Sequence, residues 1–298
     1  MLTAAAILVD GLDYAAWLFI VAVGLTLIYG VMKVVNVAHG GLYSMGAYAA
    51  AWAVGLYFDR GLAPAGSFLV LALASVAVGG VVGLALERGL LRLFYGRDDI
   101  LIVLVTYAAF LILENLVLQI WGVEAYPAYQ PATLLGTMTI AGLPFSTYEL
   151  ALVPLAAAIG AALIWILART RIGKLVRAVI HDREMASSFG IDVGRVYTVT
   201  FVVGAVLGAF GGAVTAPIIS VAPGIGVEVI VLAFAVVVIG GLGSVAGTIV
   251  GALLVGLARA AAVHLLPQVE LFAIYAVMSL VLVLRPQGLF APARQRRI

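Results

Sequence analysis

Charge in this chain is confined to short intervals, and the uncharged runs between them have lengths that a bilayer dictates. No Asp, Glu, Lys or Arg occurs in residues 14–32, 34–58, 61–86 or 150–168. The run 100–121 is broken only by Glu114, and 196–227, 229–258 and 271–284 are again free of charge. A helix needs roughly 20 apolar residues to cross the hydrocarbon core. Of the 298 residues only 10% are charged, against about 25% in soluble domains. With 65% hydrophobic residues there is too little polar surface to cover a soluble fold. The chain reads as an all-α polytopic membrane protein.

Two runs exceed a simple crossing, and both hold helix breakers: Pro217 and Pro223 in 196–227, and Gly240-Gly241-Leu242-Gly243 in 229–258. Loop charge gives the orientation. Residues 169–195 carry six basic groups (Arg169, Arg171, Lys174, Arg177, Arg183 and Arg195), and the tail carries Arg285, Arg294, Arg296 and Arg297. With both placed in the cytoplasm, alternating crossings put Lys33 and 87–99 inside and the N-terminus outside. Asp10, Asp13, Asp59, Glu124 and Glu149 then fall outside. The tail stays inside only if the chain turns once more, most simply at Gly240–Ser244 between two short helices. The expectation is eight or nine transmembrane helices, some short or broken. Broken helices are tolerated where protein or a water-filled cavity satisfies their backbone, so the break points toward a translocation path.

Several chemistries are excluded. There is no cysteine, hence no disulfide or thiolate ligand, and the three histidines at 39, 181 and 264 are dispersed, so no metal site is expected. A net charge of +2 gives no reason to expect nucleic acid. Neither lysine, Lys33 or Lys174, stands in a GxxxxGK[ST] loop, so the chain has no P-loop of its own. Met1 to Asp13 lacks the basic start of a cleavable signal.

Gly204, Gly208 and Gly212, and again Gly243, Gly247 and Gly251, recur every fourth residue. Each set is expected along one helix face, for close packing or, less readily, as a backbone-lined pore wall. Asn36 and His39 are three apart beside Gly40 and Gly41 and are expected on one helical face. Polar groups at membrane depth are costly and often functional, although a lone buried His is more often a hydrogen-bonded anchor than a ligand. Glu114 could titrate in a relay, but without a second ionisable group in another span it reads better as a structural contact.

Between the spans, 172–180 reads as a short basic amphipathic helix. Asp182 is placed to cap a second helix, 183–189, which Gly190 ends. The spacing Glu184-x-Ala186-x-x-x-Gly190 resembles the coupling loop of ABC importer permeases, with Met185 replacing an alanine. On its own it could be a solvated basic connector. The segments GLTLIYGVMKVVNVAHGGLYSMGAY, IGKLVRAVIHDREMASSFGID, VVVIGGLGSVAGTIVGALLVG and LRPQGLF resemble, in matching order from Gly24 to Phe290, the permeases of branched-chain amino-acid ABC importers. Asn36, Ala38, His39 and Gly40 resemble the H-type subunit in particular.

That resemblance implies an ABC importer permease fold, one transmembrane permease domain over 1–298, with 169–195 as its cytoplasmic coupling loop. It implies an inner-membrane location, a second related permease of the M type, two cytoplasmic ATPase subunits that bind the ATP and Mg, and a periplasmic substrate-binding protein. No cofactor is expected on this chain. Lys174, Arg177, Asp182, Glu184, Ala186 and Gly190 are the expected ATPase-docking set. Asn36, His39, Gly40, Gly240, Gly241, Gly243 and Gly247 are candidates for the pathway or its packing. Branched-chain or other neutral, hydrophobic amino acids are the expected cargo. Urea or short amides, or an ion-coupled secondary transporter, are the alternatives.

Overall fold

The computed structural model describes residues 2–290, which form twelve α-helices and one small hairpin. Helix α1 (Leu2–Met32) is the axis of the bundle, buried along most of its length. Against it lie α6 (Thr147–Arg169), α9 (Val193–Thr215), α10 (Ile225–Gly240) and α11 (Val245–Leu265). Helix α2 (His39–Asp59) packs between α9, α3 (Ser67–Gly89) and α4 (Asp99–Trp121), and α12 (Glu270–Leu284) closes the far side against α11. The core accordingly has two apolar centres, one around α2, α3 and α9 and one around α1, α10 and α11.

Half of the helix starts are set by a capping side chain. Asp98, Ser146, Asp192 and Ser244 each accept a backbone N–H of the first turn of α4, α6, α9 and α11. This satisfies donors that have no partner inside the helix. The connection 122–146 holds a one-and-a-half-turn helix α5 (Gln130–Leu135) and strands β1 (Thr137–Ile140) and β2 (Leu143–Ser146), paired antiparallel. Ala141 and Gly142 both take positive φ between them, as a two-residue hairpin turn of primed type requires. Tyr126 and Val221 exchange backbone hydrogen bonds of 2.9 and 3.0 Å. The 122–146 connection and the α9–α10 connection therefore share one end of the bundle, called here the hairpin end. The opposite end carries α7 (Arg171–His181) and α8 (Arg183–Ser188) and is the loop end.

Six helices are long and apolar enough to cross a membrane: α1, α3 with its flanking turns, α4, α6, α9 and α11. Helix α10 and residues 272–284 are shorter apolar helices, and α2 is less apolar because glycine and tyrosine fill it. The chain turns at Gly241–Ser244, as expected, but only one flanking helix is short. Helix α10 has 16 residues, whereas α11 has 21. The turn lies at the loop end, where Gly243 abuts Gly30. The described part of the tail returns to it: Leu289 N–H donates to Ile239 O and Phe290 N–H to Gly240 O, both at 2.9 Å. These bonds cap the last turn of α10, whose carbonyls no helical donor reaches. Arg294, Arg296 and Arg297 lie outside the described residues.

Small residues make these approaches possible. Gly46 and Gly212 bring α2 and α9 so close that an added Cβ would strike backbone atoms of the partner helix. Gly204 and Gly24 do the same for α9 and α1, and Gly240 and Gly247 for α10 and α11. In lipid, where apolar burial between helices gains little, such contacts supply the association. Gly243 departs from the expected ladder. It sits in the turn at φ +86° rather than on α11, which begins two residues later.

Candidate translocation and coupling site

After α1 ends, Lys33 takes a left-handed φ, residues 34–36 are non-helical, and a turn at Val37–Ala38 leads into α2, whose first residue lies back at the level of Val21. The marker of that level is His39, whose Nε2 lies 2.9 Å from Val21 O. Eleven residues of α1 lie beyond Val21, about 17 Å at helical rise, so the segment 33–38 re-enters the bundle beside the last turns of α1. Non-helical backbone at this depth must be satisfied by protein. Thr106 of α4 does this: its Oγ1 accepts from Val37 N–H at 3.2 Å, and its one proton lies between Val35 O at 3.2 Å and Val103 O of its own helix at 3.0 Å. Sequence reasoning missed Thr106, because a lone Thr in an apolar run carries no signal of what it faces.

Asn36 and His39 are therefore not two points on one helical face. Asn36 lies in the non-helical segment and His39 opens α2. Both are fully buried. The His39 ring fills the space left by Gly24 and Gly208 and ties α1, α2 and α9 together. That is the geometry of an anchor. Asn36 is different: neither its Oδ1 nor its Nδ2 has a hydrogen-bond partner among the described residues. A buried amide without partners costs about 1–3 kcal/mol. Gly40 packs on Gly226 O and Ile230 at the start of α10.

The other pathway candidates form a second group. Gly240, Gly241, Gly243 and Gly247 surround the turn at the loop end, with Gly241 at φ +103°. The structure brings the segments 24–48 and 236–256 together: Gly243 packs on Gly30, and the hydroxyls of Thr26 and Thr248 are 2.6 Å apart. The level of His39 and the level of Gly30 are nine residues apart on α1, about 14 Å. Glu114 accepts from Ser44 Oγ at 2.5 Å, a polar link between α4 and α2.

At the loop end α7 and α8 form the element anticipated from the sequence. Thr170 caps α7, and Asp182 Oδ1 accepts from both Glu184 N–H and Met185 N–H at 2.9 Å. Gly190 leaves α8 at φ +80°, the left-handed position glycine takes at least cost. Lys174, Arg177, Asp182, Glu184 and Gly190 are exposed. Ala186 is not: at 4% exposure it faces its own chain, where a small side chain lets α8 lie flat. Met185 and Phe189, at 58% and 81% exposure, are the apolar side chains that α8 and its end turn outward.

Each end of the bundle has a cavity. At the hairpin end, Asp10, Asp13, Glu149, Arg259, Tyr14 and Trp17 face a space of about 350 Å³. There Arg259 pairs with Glu270 and stacks 4.0 Å from the Tyr14 ring centre. At the loop end, Lys33, Arg97, Arg183 and Asp99 face a space of about 460 Å³. Burial holds the Lys33 ammonium below its ordinary pKa. Among the described residues no group of three or more His, Asp or Glu side chains is placed to hold a metal.

Residues 7–284 match the model of the family described as branched-chain amino acid transport system / permease component. The chain belongs to that family. It is 29% identical to the high-affinity branched-chain amino acid transport system permease protein BraD of Pseudomonas aeruginosa, over 95% of this chain and 94% of that one. It is 26% identical to the corresponding protein LivH of Escherichia coli (strain K12), over 94% and 93%. LivH of Methanocaldococcus jannaschii is 26% identical over 85% of this chain and 79% of its own. Among solved structures the chain is similar to PsaBC from Streptococcus pneumoniae in complex with Fab, at 11% identity and a TM-score of 0.47, over 95% and 91%.

Proposed function

We propose that this chain is the inner-membrane permease subunit of an ATP-binding-cassette importer for branched-chain or other neutral, hydrophobic amino acids. Family membership over nearly the whole length supports the class. The observation that carries the mechanism is the α7–α8 element: two capped helices that meet at Asp182, end in a left-handed glycine, and present Met185 and Phe189 outward. An apolar, charge-rimmed, rigid projection at the basic end is what an ATPase groove can grip. Movement of α7 would pass directly to α1 and α6, against which it packs, and α1 carries the re-entrant segment. The chain works with a second, related permease, two cytoplasmic ATPases that hold ATP and Mg, and a periplasmic binding protein. It has no nucleotide site itself.

In this reading 33–48 and 236–256 border the pathway, and Asn36 is the polar group left for cargo or water. The loop end is cytoplasmic, because Lys33, Arg88, Arg92, Arg97, Arg285 and the six basic residues of 169–195 fall there among the described residues. The test is reconstitution in proteoliposomes with a second permease of the family, ATPase subunits and a binding protein. Leucine, isoleucine or valine uptake should require ATP and all partners, and urea should not be carried. Uptake by this chain alone, driven by an ion gradient, would overturn the proposal.

A further inference from the structure

Three separate stretches send a basic side chain into one cavity at the loop end. Lys33 comes from the end of α1, Arg97 from the α3–α4 connection, and Arg183 from the first residue of α8. Asp99 is the one acidic side chain that lines it. None of the three cations belongs to an ion pair among the described residues, where the pairs are Arg195–Asp192, Arg259–Glu270 and His264–Asp10. Like charges gathered around a concave space repel one another unless an anion enters it.

Two features of the walls point the same way. Lys33 takes φ +57°, closing α1 with its N–H on Tyr29 O at 2.9 Å. That is the left-handed cap position glycine fills without strain, and an L residue there costs about 1–2 kcal/mol. A lysine stands where the backbone favours glycine; it lines the cavity, with its Nζ 5.7 Å from the Tyr29 ring centre. Tyr95, another lining residue, is fixed rather than free. Its hydroxyl donates to Glu87 Oε1 at 2.9 Å, its ring meets Tyr197 edge-on, and Glu87 Oε2 accepts from Thr198.

We propose that this cavity binds the phosphate group of an acidic membrane lipid. The apolar side chains beside it argue for a lipid over a soluble phosphate. Leu93, Ile100 and Leu101, adjoining Arg97 in sequence, are 70%, 70% and 40% exposed, a surface suited to acyl chains once the headgroup is held. Basic pockets between helices are the usual seat of such headgroups. A lipid held there touches the start of the re-entrant segment through Lys33 and α8 through Arg183. It would tie the two together independently of the cargo, and the site does not rest on the transport reading.

The test uses the full-length chain in nanodiscs and native mass spectrometry of retained lipid, comparing phosphatidylglycerol with phosphatidylcholine. Wild type should retain phosphatidylglycerol preferentially. Each neutralised cation should cost about fivefold in that preference, so Arg97→Gln with Arg183→Gln should cost about 25-fold. Lys33→Gly is the sharper variant, because it relieves the backbone while removing the charge: thermal stability should hold or rise as lipid preference falls about fivefold. Arg195→Gln, at the same end but outside the cavity, should change nothing. Equal retention of the two lipids by wild type, or an unchanged preference in the double variant, would overturn the proposal. So would binding of millimolar glycerol 3-phosphate without any lipid preference, which would assign the anion to a soluble source.

Discussion

Asn36 lies in the short non-helical stretch after α1, Thr106 of α4 supports that stretch, and the two call for opposite experimental signatures. Thr106 accepts from Val37 N–H of the non-helical segment and shares its proton between Val35 O and Val103 O, so Thr106→Val leaves the part-buried Val37 N–H unpaired. A loss of about 1–3 kcal/mol is expected, read as a lower midpoint of thermal unfolding, with Thr106→Ser restoring it. The Asn36 amide satisfies nothing within the described chain. Asn36→Leu should leave the unfolding midpoint unchanged or raised, while uptake falls by at least about tenfold, the worth of one good hydrogen bond. If Asn36→Leu instead unfolds the protein with transport per folded molecule intact, the residue is structural. That something polar mattered at 36 and 39 was visible from the cost of placing such groups at membrane depth. Their separation into an anchor and an unpartnered amide was not, because it depends on the chain leaving helical geometry at Lys33. No proline or charge cluster announces that exit.

Among the elements, α7–α8 was the most legible, since capping is local chemistry: Thr170, Asp182 and Gly190 each act within four residues of themselves. Asp182→Ala removes the acceptor for two N–H groups and should cost about 1 kcal/mol. Glu184→Lys alters an exposed charge, and its stability effect should stay within about 0.5 kcal/mol. If α8 docks the ATPase, Glu184→Lys should weaken co-purification and lower uptake with an unchanged unfolding midpoint. Equal ATPase capture by wild type and variant would return the loop to a solvated connector. The inward turn of Ala186 was not readable, because which side of a six-residue helix is covered depends on how α7 lies against α6 and α9. The tail is similar. LRPQGLF was recognisable as a motif, but its work in capping α10 needs residues some fifty positions apart. Gly288 holds φ +80°, and an added Cβ there would lie 2.5 Å from Gly241 Cα. Gly288→Val should therefore combine about 1–2 kcal/mol of backbone strain with weakening of the two bonds from Leu289 and Phe290, lowering the unfolding midpoint and loosening the turn at Gly241.

For the molecule as a whole, charge read along the sequence and contacts in the fold arrive independently at the same division of ends. The positive-inside argument used only loop composition. The packing used none of it, yet it gathers Lys33, Arg97 and Arg183 around one cavity and Asp10, Asp13 and Glu149 around the other. Arg259 is the basic residue found at the acidic cavity, paired with Glu270. The lack of cysteine makes sidedness directly measurable, since a single introduced thiol has no background. Cysteines at exposed Gly61, Glu124 or Leu266 should react with a membrane-impermeant maleimide in intact spheroplasts. Cysteines at exposed Arg97, Arg171 or Phe189 should react only after the membrane is broken or inverted. The pairing of positions tests the fold, because 61, 124 and 266 follow α2, α4 and α11. All three reach the hairpin end only if the chain reverses at Gly241–Ser244. Labelling of position 266 with the inner set would remove that reversal, separate the tail from the turn it caps, and require a different arrangement of the last three helices. Labelling of all six with sides exchanged would keep the fold and invert its orientation, placing α7–α8 where no cytoplasmic ATPase could reach it.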